Sequence, residues 1–322
     1  MHDSAQYIVN FLYAAILAGV PLMFGTLGEV ITQKAGNLNL GVEGMMYLGA
    51  VFGFWAGYVT GSPVLALLCA FAAGMAGALL YALLTVSLKA NQNVTGLTLT
   101  IFGTGIANYI GTSLIMASPT RSAVLAPNVI DAFRPLNLGF LSGIPYAGKL
   151  LFSHNLFVYL GVALCVAAGF YLNHTRQGLN LRAVGENAAA ADAVGIPVTL
   201  YKYAHIGVGG GICGLGGAYV ALVTCGGIWT YNVINGLGWI AVALVIFAAW
   251  SPYRVLYGSL AFGALSVLRL YTPGTVVSIP PSIFSMLPFL ATIVVLVITS
   301  IRLKREKMQP RGCGVNYFRE ER

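Results

Sequence analysis

Thr100, Thr104 and Asn108 recur at intervals of four inside an apolar run. On a helix they share one face, and Asn93 and Gly96 lie roughly on its extension. Threonine hydroxyls can bond their own helix backbone, so one reading of the stripe is purely local. Asn108 has no such easy solution in lipid, and the other reading turns the stripe toward a pathway or a helix interface. Neutral hydroxyls and amides suit ribose hydroxyls and base edges better than they suit an ion. A second constellation is "AGNLNLGVEGMM", Ala35 to Met46, where a carboxylate, Glu43, follows Asn37 and Asn39 and precedes a long apolar run. An ionised Glu at the centre of a bilayer costs about 3 kcal/mol, so it needs water, a partner or a helix N-terminus. Glu43 could cap a re-entrant turn, with the asparagines satisfying nearby backbone. It could equally be a substrate-path or gate residue, with Asn39 beside it.

These groups sit in a chain of 322 residues that is 58% hydrophobic and only 8% charged. A soluble domain carries about a quarter charged residues, so this composition cannot cover a water-facing surface. The expectation is an all-α polytopic membrane protein. Apolar runs at 8–27, 44–60, 63–88, 94–117, 155–172, 203–225, 236–250, 255–270 and 284–301 give about nine spans, with eight to ten possible because several are short or glycine-rich. They are too long and continuous for barrel strands. The first run lacks a basic flank of the signal-peptide kind and is expected to open the membrane domain. Residues 1–301 form the expected transmembrane domain and 302–322 a basic, poorly ordered tail. With the tail placed in the cytoplasm, Lys and Arg divide 13 to 4 in favour of the cytoplasmic side. The loop at 118–154 then lies outside and the loop at 173–202 inside. Strict alternation through nine spans puts the N-terminus outside; a broken helix near 28–43 would reverse that.

The net charge of +8 does not indicate nucleic acid, because seven of the 17 basic residues fall in the tail and most others in short gaps between spans. The five cysteines and four histidines show no metal-ligand spacing. "GGGICG", Gly209 to Gly214, fits a dinucleotide fingerprint by letter. It lies inside an apolar span, however, where four-residue glycine spacing indicates close helix packing. No nucleotide-hydrolysing loop and no catalytic triad can be read from the spacing.

The 173–202 loop contains "ENAAAADAVG", a short helix expected to start at Glu186, to end at Gly195 and to be stopped by Pro197. Two turns are not stable alone, so this helix needs a surface, either its own protein's or a partner's. The run "RAVGENAAAADAVGI" resembles the coupling-helix segment of ABC importer permeases of the branch that covers branched-chain amino acids, ribose-type sugars and nucleosides. "AGNLNLGVEG" is similar to the nucleoside-permease signature of that branch, with Gly36, Asn39, Gly41, Glu43 and Gly44 in the matching places, and "NQNVTG" is a second matching piece. The resemblance implies a cytoplasmic coupling helix with Arg182, Gly185, Glu186, Asn187, Ala190, Gly195 and Ile196 on the ATPase dock. Asn39, Glu43, Asn93, Thr100, Thr104 and Asn108 remain pathway candidates. It further implies a transport subunit without its own cofactor, in a bacterial inner membrane. ATP is used on two separate ATPase subunits, beside a second homologous permease and an extracytoplasmic substrate-binding protein. Nucleosides are the expected substrate; a monosaccharide or branched-chain amino acid permease is the alternative. A secondary transporter would need an ion site, and intramembrane acids are scarce apart from Glu29 and Glu43.

Overall fold

Lipid offers no partner to backbone polar groups, so apolar runs of this kind must close their hydrogen bonds within helices. The computed structural model of the chain describes residues 2–136, 139, 144, 146–271, 281–301 and 308–319. Its α-helices are α1 (His2–Lys34), α2 (Val42–Thr60), α3 (Pro63–Ala82), α4 (Gln92–Ala117), α5 (Pro127–Ala132), α6 (Ala147–Leu151), α7 (Leu156–His174), α8 (Arg176–Glu186), α9 (Ala188–Ala193), α10 (Val198–Tyr219), α11 (Leu237–Phe247), α12 (Pro252–Val267) and α13 (Pro281–Ile301). Short π-helical turns extend α3 through Ser87 and α10 through Thr224. Polar residues mark the starts. Asn91 accepts from the Asn93 and Val94 amides at 3.0 and 3.1 Å, and Asn155 accepts from the Val158 amide at 3.2 Å.

Among the described residues, five helices are long and apolar enough to cross a bilayer: α1, α3, α4, α7 and α10. The nine apolar runs resolve unequally. The run at 236–250 holds only the 11-residue α11, about 16 Å long and half a bilayer. The expected break near 28–43 is also shorter than the sequence suggests, because α1 continues to Lys34 and only residues 35–41 separate it from α2.

Helix α10 lies at the centre, packed against α1, α2 and α3. Glycine makes this possible. A Cβ at Gly210 would meet Ala78 and Gly74 of α3, one at Gly209 would meet Gly28 and Thr32 of α1, and one at Gly217 would meet Met46 of α2. The glycine cluster of "GGGICG" is therefore a packing seam. Helix α4 lies against α2, and α12 against α1.

One end of the bundle gathers the end of α1, the 83–91 turn, α8 and α9, the 248–251 turn and residues 308–319. Gly312 N donates to Gly185 O (2.8 Å), Trp250 Nε1 to Gln33 Oε1 (2.6 Å), and Asn316 Nδ2 to Lys89 O (2.6 Å). Lys34, Lys89, Arg176, Arg182, Lys202 and Arg254 all belong to this basic end. At the other end the 118–154 loop meets the segment after α10, where Leu125 N donates to Gly227 O (2.9 Å) and Trp229 N to Ala123 O (3.0 Å). The tail expectation is corrected in part. Residues 302–307 and 320–322 lie outside the described residues, but 308–319 are packed onto the protein rather than loose, because their backbone and side-chain groups find partners on α1, α4, α8, α9 and the 83–91 turn.

Candidate functional site

Between α10 and α11 the chain is not helical. Residues 225–236 turn repeatedly through left-handed backbone at Gly226, Gly227, Asn232, Asn235 and Gly236. From the loop end this segment descends along α4 and α2. The Trp229 ring covers Gly111, Asn232 reaches Asn108, the Asn235 amide donates to Tyr47 Oη (3.3 Å), and α11 begins beside Glu43. The start of α11 lies deep in the bundle. Gly44, next to Glu43, packs on Leu99 and Gly103, near the middle of the 26-residue α4. Non-helical backbone at such depth is tolerated where protein covers it or where it lines a watered cavity. Val233 and Ile234 are buried, whereas Tyr231 (70% exposed), Asn232 and Asn235 are open. The segment therefore forms a ledge of amide and aromatic groups with no formal charge.

Glu43 holds this ledge in place. Its Oε1 accepts from Gly236 N at 2.7 Å and its Oε2 from Gly238 N at 2.6 Å. The cap residue of α11, Gly236, has no side chain to satisfy the first amides, and α2 supplies a carboxylate instead. The charge also meets the positive end of α11. Glu43 is thus a helix cap, but for α11 rather than for its own helix. Gly238 must lack a Cβ, which would come within 2.8 Å of Glu43 Oε2.

The 100/104/108 stripe divides. Thr104 Oγ1 donates to Thr100 O of its own helix (2.8 Å), and Thr100 Oγ1 donates to Leu40 O (3.1 Å). Asn108 joins the ledge: its Nδ2 donates to Asn232 Oδ1 (2.9 Å), and its Oδ1 accepts from Asn232 N (3.3 Å). The closely packed face of α4 is Gly96, Leu99, Gly103, Ala107 and Gly111, so the polar stripe runs along its edge. Asn39 is enclosed instead. Its Oδ1 accepts from Gly41 N (2.8 Å) and its amide reaches Met45 Sδ (3.3 Å). Asn93 is exposed at the basic end, remote from the ledge. Sequence reasoning missed Tyr231, Asn232, Asn235 and Gly236. The signal was the "YNVING" run, whose Asn-Gly turn interrupts an otherwise apolar region.

Below Glu43, the 35–41 turn is held from several sides. Glu29 Oε1 accepts from Gln33 Nε2 (2.8 Å) and Asn39 N (3.0 Å); Tyr81 Oη donates to Leu38 O (2.6 Å); Gln92 Oε1 accepts from Leu38 N (2.8 Å). Gly36, at φ +80°, presses on Gly185 of α8, which can approach because it too lacks a side chain.

The 173–202 loop holds two helices: the expected short helix is α9, which starts two residues later than expected, and α8 precedes it. Glu186 ends α8, and Asn187, in extended backbone, caps α9 by accepting from Ala190 N (3.0 Å). Glu186 therefore does not start the docking helix; Asn187 outcompetes it because its short amide reaches the free amide of the first turn. Gly195, at φ +85°, closes α9: its amide donates to Asp192 O (3.0 Å) and that of Ile196 to Ala191 O (3.0 Å), a Schellman arrangement. Ala190, Gly195, Val194 (76% exposed) and Leu200 (64% exposed) face outward. Arg182 instead borders a small polar pocket with Lys34 and Arg254.

Residues 9–296 match the family model described as branched-chain amino acid transport system / permease component. TsgC13 of Haloferax volcanii, provisionally named a glucose ABC transporter permease protein, is 34% identical, covering 98% of this chain and 99% of its own. The nucleoside ABC transporter permease protein NupC of Lactococcus lactis is 32% identical (95% and 96% covered), and the guanosine ABC transporter permease protein NupQ of Bacillus subtilis 31% (99% and 100%). Bacillus subtilis holds a second, more distant match, NupP, at 22% identity over 91% of this chain and 83% of its own. With a family match over most of its length and relatives that align end to end, this all-helical, multi-pass membrane chain belongs to the family of branched-chain amino acid transport system permease components.

Proposed function

We propose that this chain is the translocating subunit of an ATP-driven importer for nucleosides, working beside a second, homologous permease. The observation that carries the reading is the ledge at 225–236. It presents amides and the open Tyr231 ring with no formal charge, inside the membrane, at the start of a half-helix. Bases stack on aromatic side chains, and ribose hydroxyls pair with amides. An inorganic ion or a zwitterionic amino acid would call for charges that the ledge lacks. Substrate would pass along the ledge and the α4 edge, touching Asn108 and Asn232, with Thr100 and Thr104 beside them. NupC and NupQ support the nucleoside reading by name, and TsgC13 supports a sugar, whose hydroxyls the same amides would also accept.

The basic end is the cytoplasmic end in this reading, by the excess of Lys and Arg there, and 302–322 is a cytoplasmic tail of the permease domain 1–301. A pair of ATPase subunits would serve the two permeases, with α9 as this chain's coupling helix; Arg182, Gly185, Glu186, Asn187, Ala190, Gly195 and Ile196 define the dock and its support. ATP and its chemistry stay on those subunits. A substrate-binding protein would dock on the 118–154 side of the cytoplasmic membrane. ATP binding can shift access only if the ATPases hold α9 differently in the two states.

The test is a binding and uptake panel of guanosine, adenosine, uridine, glucose and leucine, using the assembled complex in proteoliposomes with its binding protein. Competition among nucleosides, with glucose and leucine inert, is expected. ATP-dependent uptake confined to glucose or to leucine would overturn the substrate class. Uptake driven by a proton gradient without ATP would overturn the importer reading.

A further inference from the structure

We propose that the C-terminal segment 310–319 is a transmission strap, tying the coupling helix α9 to the foot of α4 and to the 35–41 turn. The proposal rests on the reading of α9 as the ATPase-coupling helix and goes beyond it, because nothing in that reading gives the tail a part in transport.

The strap is fastened at both ends and in the middle. Near its start, Gly312 N donates to Gly185 O on α8 (2.8 Å), against the same face that meets Gly36, and Cys313 Sγ donates to Gln33 O on α1 (3.1 Å). Burial pushes the Cys313 thiol up to about 12, as befits a side chain enclosed between elements rather than waving in solvent.

The middle is built around Gln92, the first residue of α4, which is almost wholly buried. Its Oε1 accepts from Leu38 N (2.8 Å) and from Gly314 N (3.2 Å). Its Nε2 donates to Val315 O (3.4 Å) and Asn316 Oδ1 (3.1 Å). Every hydrogen-bonding position of this amide is thus used, and one side chain joins α4, the 35–41 turn and the strap. Asn316 Nδ2 adds bonds to Lys89 O (2.6 Å) and Ala90 O (3.1 Å) in the preceding turn.

At the far end, Tyr317 Oη donates to Asp192 Oδ2 of α9 (2.7 Å), and Arg319 Nε lies 3.2 Å from the same oxygen. Tyr317 also packs on the apolar cluster of Val184, Ala191 and Val198 beneath α9. Tyr317 and Arg319 stand across a groove of about 990 Å³ from Gly195 and Leu200. A partner that presses on α9 therefore also loads the strap, and the strap's next anchor is Gln92. Helix α4 carries Asn108, so the path from the ATPase face to the ledge runs α9, Asp192, strap, Gln92, α4. Asp192, Tyr317 and Gln92 are positioning residues on this path, and none of them touches substrate.

The test uses the assembled complex in proteoliposomes and measures three quantities: ATPase subunits retained, ATP hydrolysed, and uptake of labelled guanosine, or of glucose where the binding protein selects it. Gln92→Ala, Asp192→Ala and a chain ending at Gln309 are compared with the full chain. Retained ATPase subunits and continued hydrolysis, with uptake per ATP reduced at least tenfold, are expected for each variant that assembles. Asp192 is partly exposed, so Asp192→Ala keeps the question answerable if the shortened chain does not fold. Unchanged uptake per ATP in Asp192→Ala and Gln92→Ala would overturn the strap. So would loss of ATPase binding at an unchanged uptake-to-ATP ratio, which would make the segment part of the dock only. If the full chain itself retains no ATPase subunit, the coupling reading falls, and the strap with it.

Discussion

At the scale of the residue, Glu43 and Asn108 lie on the same side of the bundle and are expected to fail differently when changed. Glu43 accepts the two backbone amides at the start of α11, and hydrogen bonds to a charged group are worth about 1.5–3 kcal/mol each. Glu43→Ala should therefore lower the thermal midpoint of the purified protein by several degrees, and Glu43→Gln, which keeps one acceptor, by less. Asn108→Ala should leave the midpoint nearly unchanged and raise the apparent KM for substrate roughly tenfold, about 1.4 kcal/mol. Equal KM effects from both sites at an unchanged midpoint would return Glu43 to the substrate path. The sequence could place Glu43 near a helix start, since an acid before an apolar run has few other solutions in lipid. It could not show that the helix start belongs to a segment almost 200 positions away. Asn39 misled for a related reason: a buried asparagine that bonds its own turn and one that faces a ligand have the same neighbours in sequence.

At the scale of the element, the long uniform runs were legible and the interrupted ones were not. The 236–250 run is apolar enough to suggest a span, yet only Leu237–Phe247 is helical, because the residues before it are committed to left-handed turns and to Glu43. The alanines of the 173–202 loop predict one short helix; the structure has two, since Asn187 ends one helix and begins the next. Gly195 was legible because a left-handed closing residue followed by Ile-Pro leaves little else for the chain to do. Gly195→Pro cannot adopt the +85° φ and would lose the amide that closes α9. It should abolish uptake while the protein still reaches the membrane, as should deletion of 186–195; normal uptake by either, measured in whole cells, would remove α9 from the coupling role.

At the scale of the whole molecule, most of the basic residues among those described gather at one end of the bundle, as their sequence positions suggest, and the helical, membrane-spanning class follows from composition together with the length of the apolar runs. What composition could not supply was the outward surface. Ile101, Tyr109 and Met116 of α4 are each more than three-quarters exposed, on the helix that also edges the ledge. Half of a pathway built on this edge is open, so a second permease should complete it. Co-expression with the homologous permease should increase the yield of folded, monodisperse complex several-fold over the single chain, by size-exclusion chromatography. An equally monodisperse and transport-competent single chain would count against pairing.

The glycine seams around α10 bear on how such a machine can move. Gly49, Gly74, Gly209, Gly210, Gly214 and Gly217 bring backbone against backbone or short side chains, with no long side chains between them to act as a compliant layer. Surfaces that fit this closely cannot slide by a fraction of a residue without collision. Helices α1, α2, α3 and α10 should then behave as a stator. Whatever alternates during a transport cycle must be carried by parts at its rim, and α4 and α11, which meet α2 through equally close contacts at Gly44, Gly103 and Gly238, can contribute only by tilting as rigid pieces about those contacts, not by sliding along them.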